Sequence, residues 1–272
     1  MAQPGEYEQG GIPDLELLSA QRGQPREDRC PFGLCDGSGF VVDESTNTAS
    51  DCRCRPSRIA QRRAARLEAR IPSRYREHSF ERLLGEPDLA AFGVQVRAAQ
   101  RFASRIGENL DKGKGLWIIG DVGTGKTLLA MLVSKAALDA GRSAAIYSLP
   151  RLLNVIRESM SRDGGLLGFL DQLAEVDLLH LDDLGAENQT DWVLEQLYSI
   201  VNTRYEDERS IIVTTNLQPD ELAKQIGART TSRLTEMCGD PLPLFGEDRR
   251  QREEDRRLER LVRQQGAAGP AR

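Results

Sequence analysis

Long apolar runs are missing from this 272-residue chain. No stretch approaches the roughly 18 residues that cross a bilayer as a helix, so membrane-spanning helices are not expected. The start of the chain also lacks a basic region followed by an apolar core, the mark of a secretory signal, and a cytoplasmic location is expected. No internal repeat is evident. A strong positive charge is absent as well: the formal net charge is −5, which argues against indiscriminate binding to DNA. The charge is nevertheless unevenly placed. Residues 53–76 hold nine arginines against one acid, Glu68, a local block able to meet phosphates or an acidic partner. The length accommodates one domain of about 150–200 residues and something smaller.

What is present is most informative at Gly120-Asp-Val-Gly-Thr-Gly125-Lys126-Thr127, which fits GxxxxGK[ST] and follows the apolar run Leu116-Trp117-Ile118-Ile119. In a phosphate-binding loop the glycines let the backbone curl so that its N–H groups face the β-phosphate. Lys126 then reaches the β/γ oxygens and the Thr127 hydroxyl ligates Mg²⁺. Residues 128–138 carry apolar side chains at helical spacing and close at Gly141, which puts the phosphates at a helix N-terminus. The expected nucleotide contacts are therefore Gly120, Asp121, Val122, Gly123, Thr124, Gly125, Lys126, Thr127 and Leu128. The alternative is a glycine-rich turn that happens to precede a lysine.

Leu178-Leu-His-Leu-Asp182-Asp183 is an apolar run ending in two carboxylates, the pattern of a buried parallel strand that delivers acids at its C-terminal tip. Asp182 is expected to hold Mg²⁺, with Asp183 orienting or deprotonating the attacking water. The other reading is that the two aspartates cap a helix starting near Thr190. His180 reads as a packed core histidine. A third strand, Ile211-Ile-Val-Thr-Thr215, ends at Asn216, a neutral polar group able to fix the water. Arg229 and Arg233 stand one helical turn apart. They suit a phosphoryl transition state, in their own subunit or a neighbour's, or else form a solvated helix face.

A second chemical signal lies upstream. Four of the five cysteines, Cys30, Cys35, Cys52 and Cys54, fall within 25 residues. In a chain without a secretory signal, clustered thiols read as metal ligands rather than disulfides. Four sulfurs make a tetrahedral site of the kind Zn²⁺ prefers, and metal would supply the folding energy that so small a module lacks. Reduced spectator thiols are the alternative. Cys238, near Met237, reads as a buried spectator.

Taken together, these motifs resemble the DnaC/DnaI-type AAA+ ATPases, the replicative helicase loaders, and their relatives the IstB-type transposition helper ATPases. The likeness runs from Ile71-Pro-Ser-Arg-Tyr-Arg76 through the loop and Asp177–Gly185. It continues to Asp191-Trp192, Asn202-Thr-Arg-Tyr205, Thr214-Thr-Asn216, Arg229-Thr-Thr-Ser-Arg-Leu234 and Gly246-Glu-Asp-Arg-Arg250. It implies a three-layer α/β domain with a parallel sheet, binding and slowly hydrolysing Mg·ATP. Asn216 corresponds to the family's sensor, Arg233 to its arginine finger with Arg229 beside it, and Arg250 to a candidate second sensor. Self-association, single-stranded DNA and a replicative helicase are the implied partners, with a transposition helper or a weakly hydrolysing adaptor as alternatives. Asp183 departs from general AAA+ usage, where glutamate is common. Its carboxylate is about 1.5 Å shorter, which favours slow, switch-like hydrolysis.

The expected organisation is then a disordered segment 1–28, with Ile12 to Leu18 as a docking patch, and a cysteine module 29–56. A basic linker helix 57–71 follows, in which Ala60, Ala64, Leu67 and Ile71 recur at helical spacing. The ATPase domain spans 72–250, and a charged tail occupies 251–272.

Overall fold

The computed structural model describes residues 30–55, 58, 67, 71–86, 92–161, 165–186 and 188–249. The segment 1–28, Arg250 and the tail 251–272 lie outside the described residues, as does nearly all of the expected linker helix. The chain divides into two compact units, Met1–Arg58 and Ile59–Arg272.

In the first unit, β1 (Phe40–Asp43) and β2 (Thr48–Asp51) form an antiparallel hairpin, with Phe40 opposite Asp51 and Asp43 opposite Thr48. Its interior is made of thiols: Cys30, Cys52 and Cys54 are buried, with Cys35 and Val41 against them. Phe32, Leu34, Phe40 and Val42 are exposed. A two-stranded hairpin with no apolar core is marginal in water, and its four thiols stand where such a core would be.

The second unit begins with α1 (Ser73–Arg76), α2 (Phe80–Gly85), α3 (Gly93–Ser104) and α4 (Ile106–Asp111). Strands and helices then alternate: β3 (Leu116–Gly120), α5 (Lys126–Asp139), β4 (Ala144–Ser148), α6 (Leu149–Met160), α7 (Gly165–Glu175) and β5 (Leu178–Asp182). They are followed by α8 (Asp191–Glu206), β6 (Ser210–Thr215), α9 (Pro219–Ile226), α10 (Ala228–Cys238) and β7 (Leu242–Leu244). The five strands make one parallel sheet in the order β4-β5-β6-β3-β7.

Helices cover both faces, which is why the strands read as unbroken apolar runs instead of alternating ones. Trp117, Ile119, Leu179, Leu181, Ile211 and Val213 point to one face, packed with Leu152 and Ile156 of α6, Leu197 of α8 and Leu234 of α10. Ile118, Leu178 and Ile212 point to the other, against Leu129 and Val133 of α5 and Val96 and Ala99 of α3. The helix after the acid strand is capped by its own Thr190, whose hydroxyl accepts from the Val193 amide, so Asp182 and Asp183 are not its caps.

One buried cation fastens the layer below the site. Arg204 of α8 is 1% exposed, and its guanidinium donates to the carbonyls of Leu173, Ala174, Val176, Asp177 and Ser210 at 2.6–3.4 Å. It thereby caps the end of α7 and ties it to the starts of β5 and β6. Burial pulls the guanidinium down to about 9, still protonated at neutral pH.

Candidate phosphate and metal sites

Strand β6 lies between β3 and β5, and the register sets Ile119 beside Thr215 and Leu181 beside Val213. The C-terminal ends of the three strands are therefore level, and their following loops form one rim. Ligands of open parallel sheets bind at such a rim.

The loop leaving β3 turns through positive φ at Gly120 (150°), Gly123 (78°) and Gly125 (104°). At Gly120 a side chain is also barred by backbone, and at Gly123 it would displace a neighbouring side chain. A Cβ on Gly120 would overlap the Leu244 carbonyl, and one on Gly123 the Asp248 carboxylate. Thr124 is fully buried and staples the loop by donating to the Asp121 carbonyl at 2.9 Å. Lys126 is 5% exposed, and its Nζ donates to the same carbonyl at 2.6 Å. Lys126 opens α5, with Thr127 and the half-buried Leu128 in its first turn; Val122 stands exposed at the loop tip.

Across the rim, the Thr127 hydroxyl donates to Asp182 at 2.9 Å and the Thr214 hydroxyl donates to the same Oδ1 at 2.7 Å. Desolvation raises the Asp182 carboxyl, but the His180 ring and the two hydroxyls outweigh it and hold the group below the usual carboxylate range. His180 is fully buried; Nδ1 shares a 3.0 Å hydrogen bond with Ser134 of α5, and Nε2 stands 3.9 Å from Asp182. An ionised carboxylate beside the helix-start threonine is a donor pair that fits Mg²⁺, a hard cation that favours oxygen and a carboxylate.

Asp183 is exposed, in the left-handed region at φ 57°, and its amide donates to Thr214 Oγ1 at 3.0 Å. The turn is fastened to β6 by the Leu184 amide on the Thr214 carbonyl and the Thr215 hydroxyl on the Leu184 carbonyl. A non-glycine residue held at positive φ by its surroundings is frequent at functional positions. Asn216 is exposed immediately after β6, between the loop strand and the acid strand. Arg229 is exposed in the first turn of α10. Arg233, one turn on, lies over the Tyr205 ring at 4.0 Å and 3.6 Å from Glu236.

Arg250 lies outside the described residues, but its neighbour is at the loop. The Arg249 amide donates to the Gly123 carbonyl at 3.3 Å, and its guanidinium pairs with Glu86 at 2.7 Å. Asp248 lies against Gly123, and the Gly246 amide donates to Asp121 Oδ2 at 2.9 Å. Sequence reasoning missed Glu86, Asp248 and Arg249. The run Gly246–Arg250 carries the signal, but only the return of β7 beside β3 brings it to the loop.

In the first unit the ligand atoms of Cys30, Cys35, Cys52 and Cys54 all lie within 4.8 Å of one another. The pairs Cys30–Cys52 and Cys35–Cys54 are 3.7 and 3.5 Å apart, and all four cysteines are free. Zn–S bonds of about 2.3 Å in a tetrahedron require sulfurs roughly 3.8 Å apart, so the arrangement fits zinc and is far too open for a disulfide. Desolvation works against ionising Cys30, yet the Leu34, Phe32 and Cys35 backbone groups bring its thiol down to about 6, whereas burial pushes Cys54 up to about 12. Cys238 is half-buried against the main core, and burial pushes its thiol up to about 12.

A GK[ST] loop after the inner strand β3, an acid strand one removed from it, and this strand order together define an AAA+-type P-loop fold. A family model described as IstB-like ATP binding protein matches residues 62–237, and the chain belongs to that family. It is 28% identical over 152 residues to the replicative helicase loader DnaI of Bacillus subtilis, covering 51% of this chain and 48% of that one. To the phage-like element PBSX protein XkdC of the same organism it is 26% identical over 252 residues, covering 88% and 90%. The crystal structure of the DnaC helicase loader superposes with a TM-score of 0.56 at 27% identity, over 64% of this chain and 99% of that one. The chain thus spans about half the length of the loader DnaI. Among the described residues no helix is long and apolar enough to cross a membrane.

Proposed function

We propose that the protein is an ATP-hydrolysing switch of the helicase-loader type, which in its ATP-bound state holds a replicative helicase and single-stranded DNA. The observation that carries this reading is the hydrogen-bonded set Thr127–Asp182–Thr214 at the mouth of the phosphate loop. Lys126 and the loop amides would bind the β/γ-phosphates, and Thr127 with Asp182 would hold Mg²⁺, which offsets charge building on the transferred phosphoryl oxygens. Asp183 and Asn216 would orient the water, and Arg233, with Arg229 beside it, would serve a neighbouring subunit. Self-association through this domain follows from that assignment. Kinship with DnaI and DnaC supports the choice of partners. The cysteine module, bearing zinc, would serve partner contact. Phosphate release measured with and without single-stranded DNA tests the ATPase, and ATP-dependent co-purification with the replicative helicase tests the partner. A rate at the buffer blank under both conditions would leave only an ATP-binding adaptor, a role the short, left-handed Asp183 also suits.

The match to the IstB-like model favours a second reading, a transposition helper that presents target DNA to a transposase. Capture of a transposase instead of the helicase would decide for it.

A further inference from the structure

Three side chains join the last turn of α8 to α10. The Arg233 guanidinium carbon lies 4.0 Å from the centre of the Tyr205 ring, and the Tyr205 hydroxyl donates to Glu236 Oε2 at 2.7 Å. Oε1 of the same carboxylate stands 3.6 Å from Arg233 Nη1, longer than a hydrogen bond between charged groups. Both ends of the stack are carried by buried neighbours. Arg204, directly before Tyr205, is held by the carbonyls of Leu173, Ala174, Val176, Asp177 and Ser210. Leu234, directly after Arg233, is fully buried in the core that also holds Leu197 of α8. The ring and the guanidinium therefore meet on two backbones that are fixed relative to each other. A cation–π contact occupies the face of a guanidinium, whereas its N–H donors spread outward in the plane of the group. The ring thus sets the direction of the fork without consuming it. An arginine free on a helix surface would lose its rotamer freedom on meeting a phosphate, and one already resting on a ring loses less.

On the reading proposed above, in which Arg233 serves a neighbouring subunit, we infer that Tyr205 is its positioning residue: the ring presents the guanidinium with its donors open, and the hydroxyl holds the Glu236 carboxylate off them. The second role follows from the two Glu236 contacts. One carboxylate oxygen is taken by the phenol at 2.7 Å, which leaves the other at 3.6 Å from the arginine instead of in a closed ion pair. Such a pair would compete with a neighbour's phosphate for the same donors. Tyr205 touches no reacting atom in this scheme and acts through Arg233 alone. A tyrosine that only packed α8 against α10 would act differently, changing every subunit's stability alike whether that subunit gives the arginine or the pocket.

The test measures phosphate release by the full chain with ATP and single-stranded DNA. Tyr205→Leu is expected to lower kcat by about tenfold with little change in KM, since a misplaced group costs rate more than binding. Tyr205→Phe keeps the ring and frees Glu236, so it should recover most of the rate, within roughly threefold of wild type, the weight of one exposed ion pair. The decisive arm is a mixture in which Lys126→Ala chains give the arginine and Arg233→Ala chains give the pocket. Adding Tyr205→Leu to the Lys126→Ala chain should remove the turnover that mixing restores, while adding it to the Arg233→Ala chain should not. Restoration that is equal for both placements overturns the positioning role and leaves Arg233 acting in trans. Loss in both placements also overturns it, because the leucine then harms the fold of whichever chain carries it. A parent mixture that oligomerises and restores nothing overturns the trans reading and the role of Tyr205 with it.

Discussion

Thr127 and Asp182, 55 positions apart in sequence, share a 2.9 Å hydrogen bond that closes the gap between the phosphate loop and the acid strand. The contact sets a hydroxyl and a carboxylate oxygen side by side, and Thr214 holds the carboxylate from a third element at 2.7 Å.

Asp182→Asn should keep metal-free nucleotide binding yet lose the Mg²⁺-dependent gain in affinity and at least about 10³-fold in turnover, since charge stabilisation at the metal is removed. Titration of Mg²⁺ against ATP affinity reads the effect; an unchanged Mg²⁺ dependence removes Asp182 from the metal site. The same carboxyl carries a stability term. Its folded value lies below the unfolded one, so between the two the unfolded state binds more protons and stability rises with pH. The contribution is full above the unfolded value of 3.8 and is lost as pH falls through the folded value. Acid unfolding of Asp182→Asn should therefore be less steep in that window.

Lys126 has its ammonium folded back on the Asp121 carbonyl at 2.6 Å, a contact that phosphate oxygens, as charged acceptors, should replace. Lys126→Ala should abolish nucleotide retention on gel filtration. ATP affinity equal to wild type would sink the assignment of the loop.

The cysteine unit should carry about one zinc per chain, measured by atomic emission. Stripping it with a chelator should abolish the hairpin β1–β2, because the four thiols are its interior, while the sheet unit keeps its melting temperature. Cys52→Ser combined with Cys54→Ser should lose the metal. Full zinc content in that double variant would show that these sulfurs are not ligands.

The sheet and its rim were legible because buried parallel strands leave apolar runs and the loop leaves its glycines: 116–119, 178–181 and 211–213 all fall inside observed strands. Contacts made by chain return were not. Nothing in Arg204's surroundings in sequence announces five carbonyl acceptors, since four of them belong to residues 173–177. Asp248 and Glu86 likewise meet the loop and Arg249 only through tertiary packing. Arg233 is intermediate: its helical spacing from Arg229 could be read, but its stacking on Tyr205 could not.

Arg204→Met should destabilise the sheet unit by about 3 kcal/mol or more, because it strands buried carbonyls that the guanidinium satisfies. Lysine should rescue little, as a single ammonium cannot reach the same fork of acceptors. Urea unfolding of the three proteins reads the difference, and a loss under about 1 kcal/mol would mean that water replaces the guanidinium.

Arg233 separates a self-assembling switch from a monomeric adaptor. Its guanidinium rests 4.0 Å from the Tyr205 ring centre, with Glu236 at 3.6 Å, and the Tyr205 hydroxyl donates to the other Glu236 oxygen at 2.7 Å. The side chain is still about one-third exposed, at 34%, so a neighbour's phosphate can compete for it. If it acts in trans, Arg233→Ala binds ATP as wild type does but loses DNA-stimulated hydrolysis by on the order of 10³-fold. Arg233→Lys keeps the charge without the planar fork and should recover little of that rate, and Arg229→Ala should be milder. Mixing Arg233→Ala with Lys126→Ala should partly restore turnover, one subunit giving the pocket and the other the arginine. If the role is only the stack on Tyr205, the alanine variant loses roughly 0.5–1 kcal/mol of stability and hydrolyses ATP at the wild-type rate. A mixture that oligomerises and stays inactive would equally end the trans assignment.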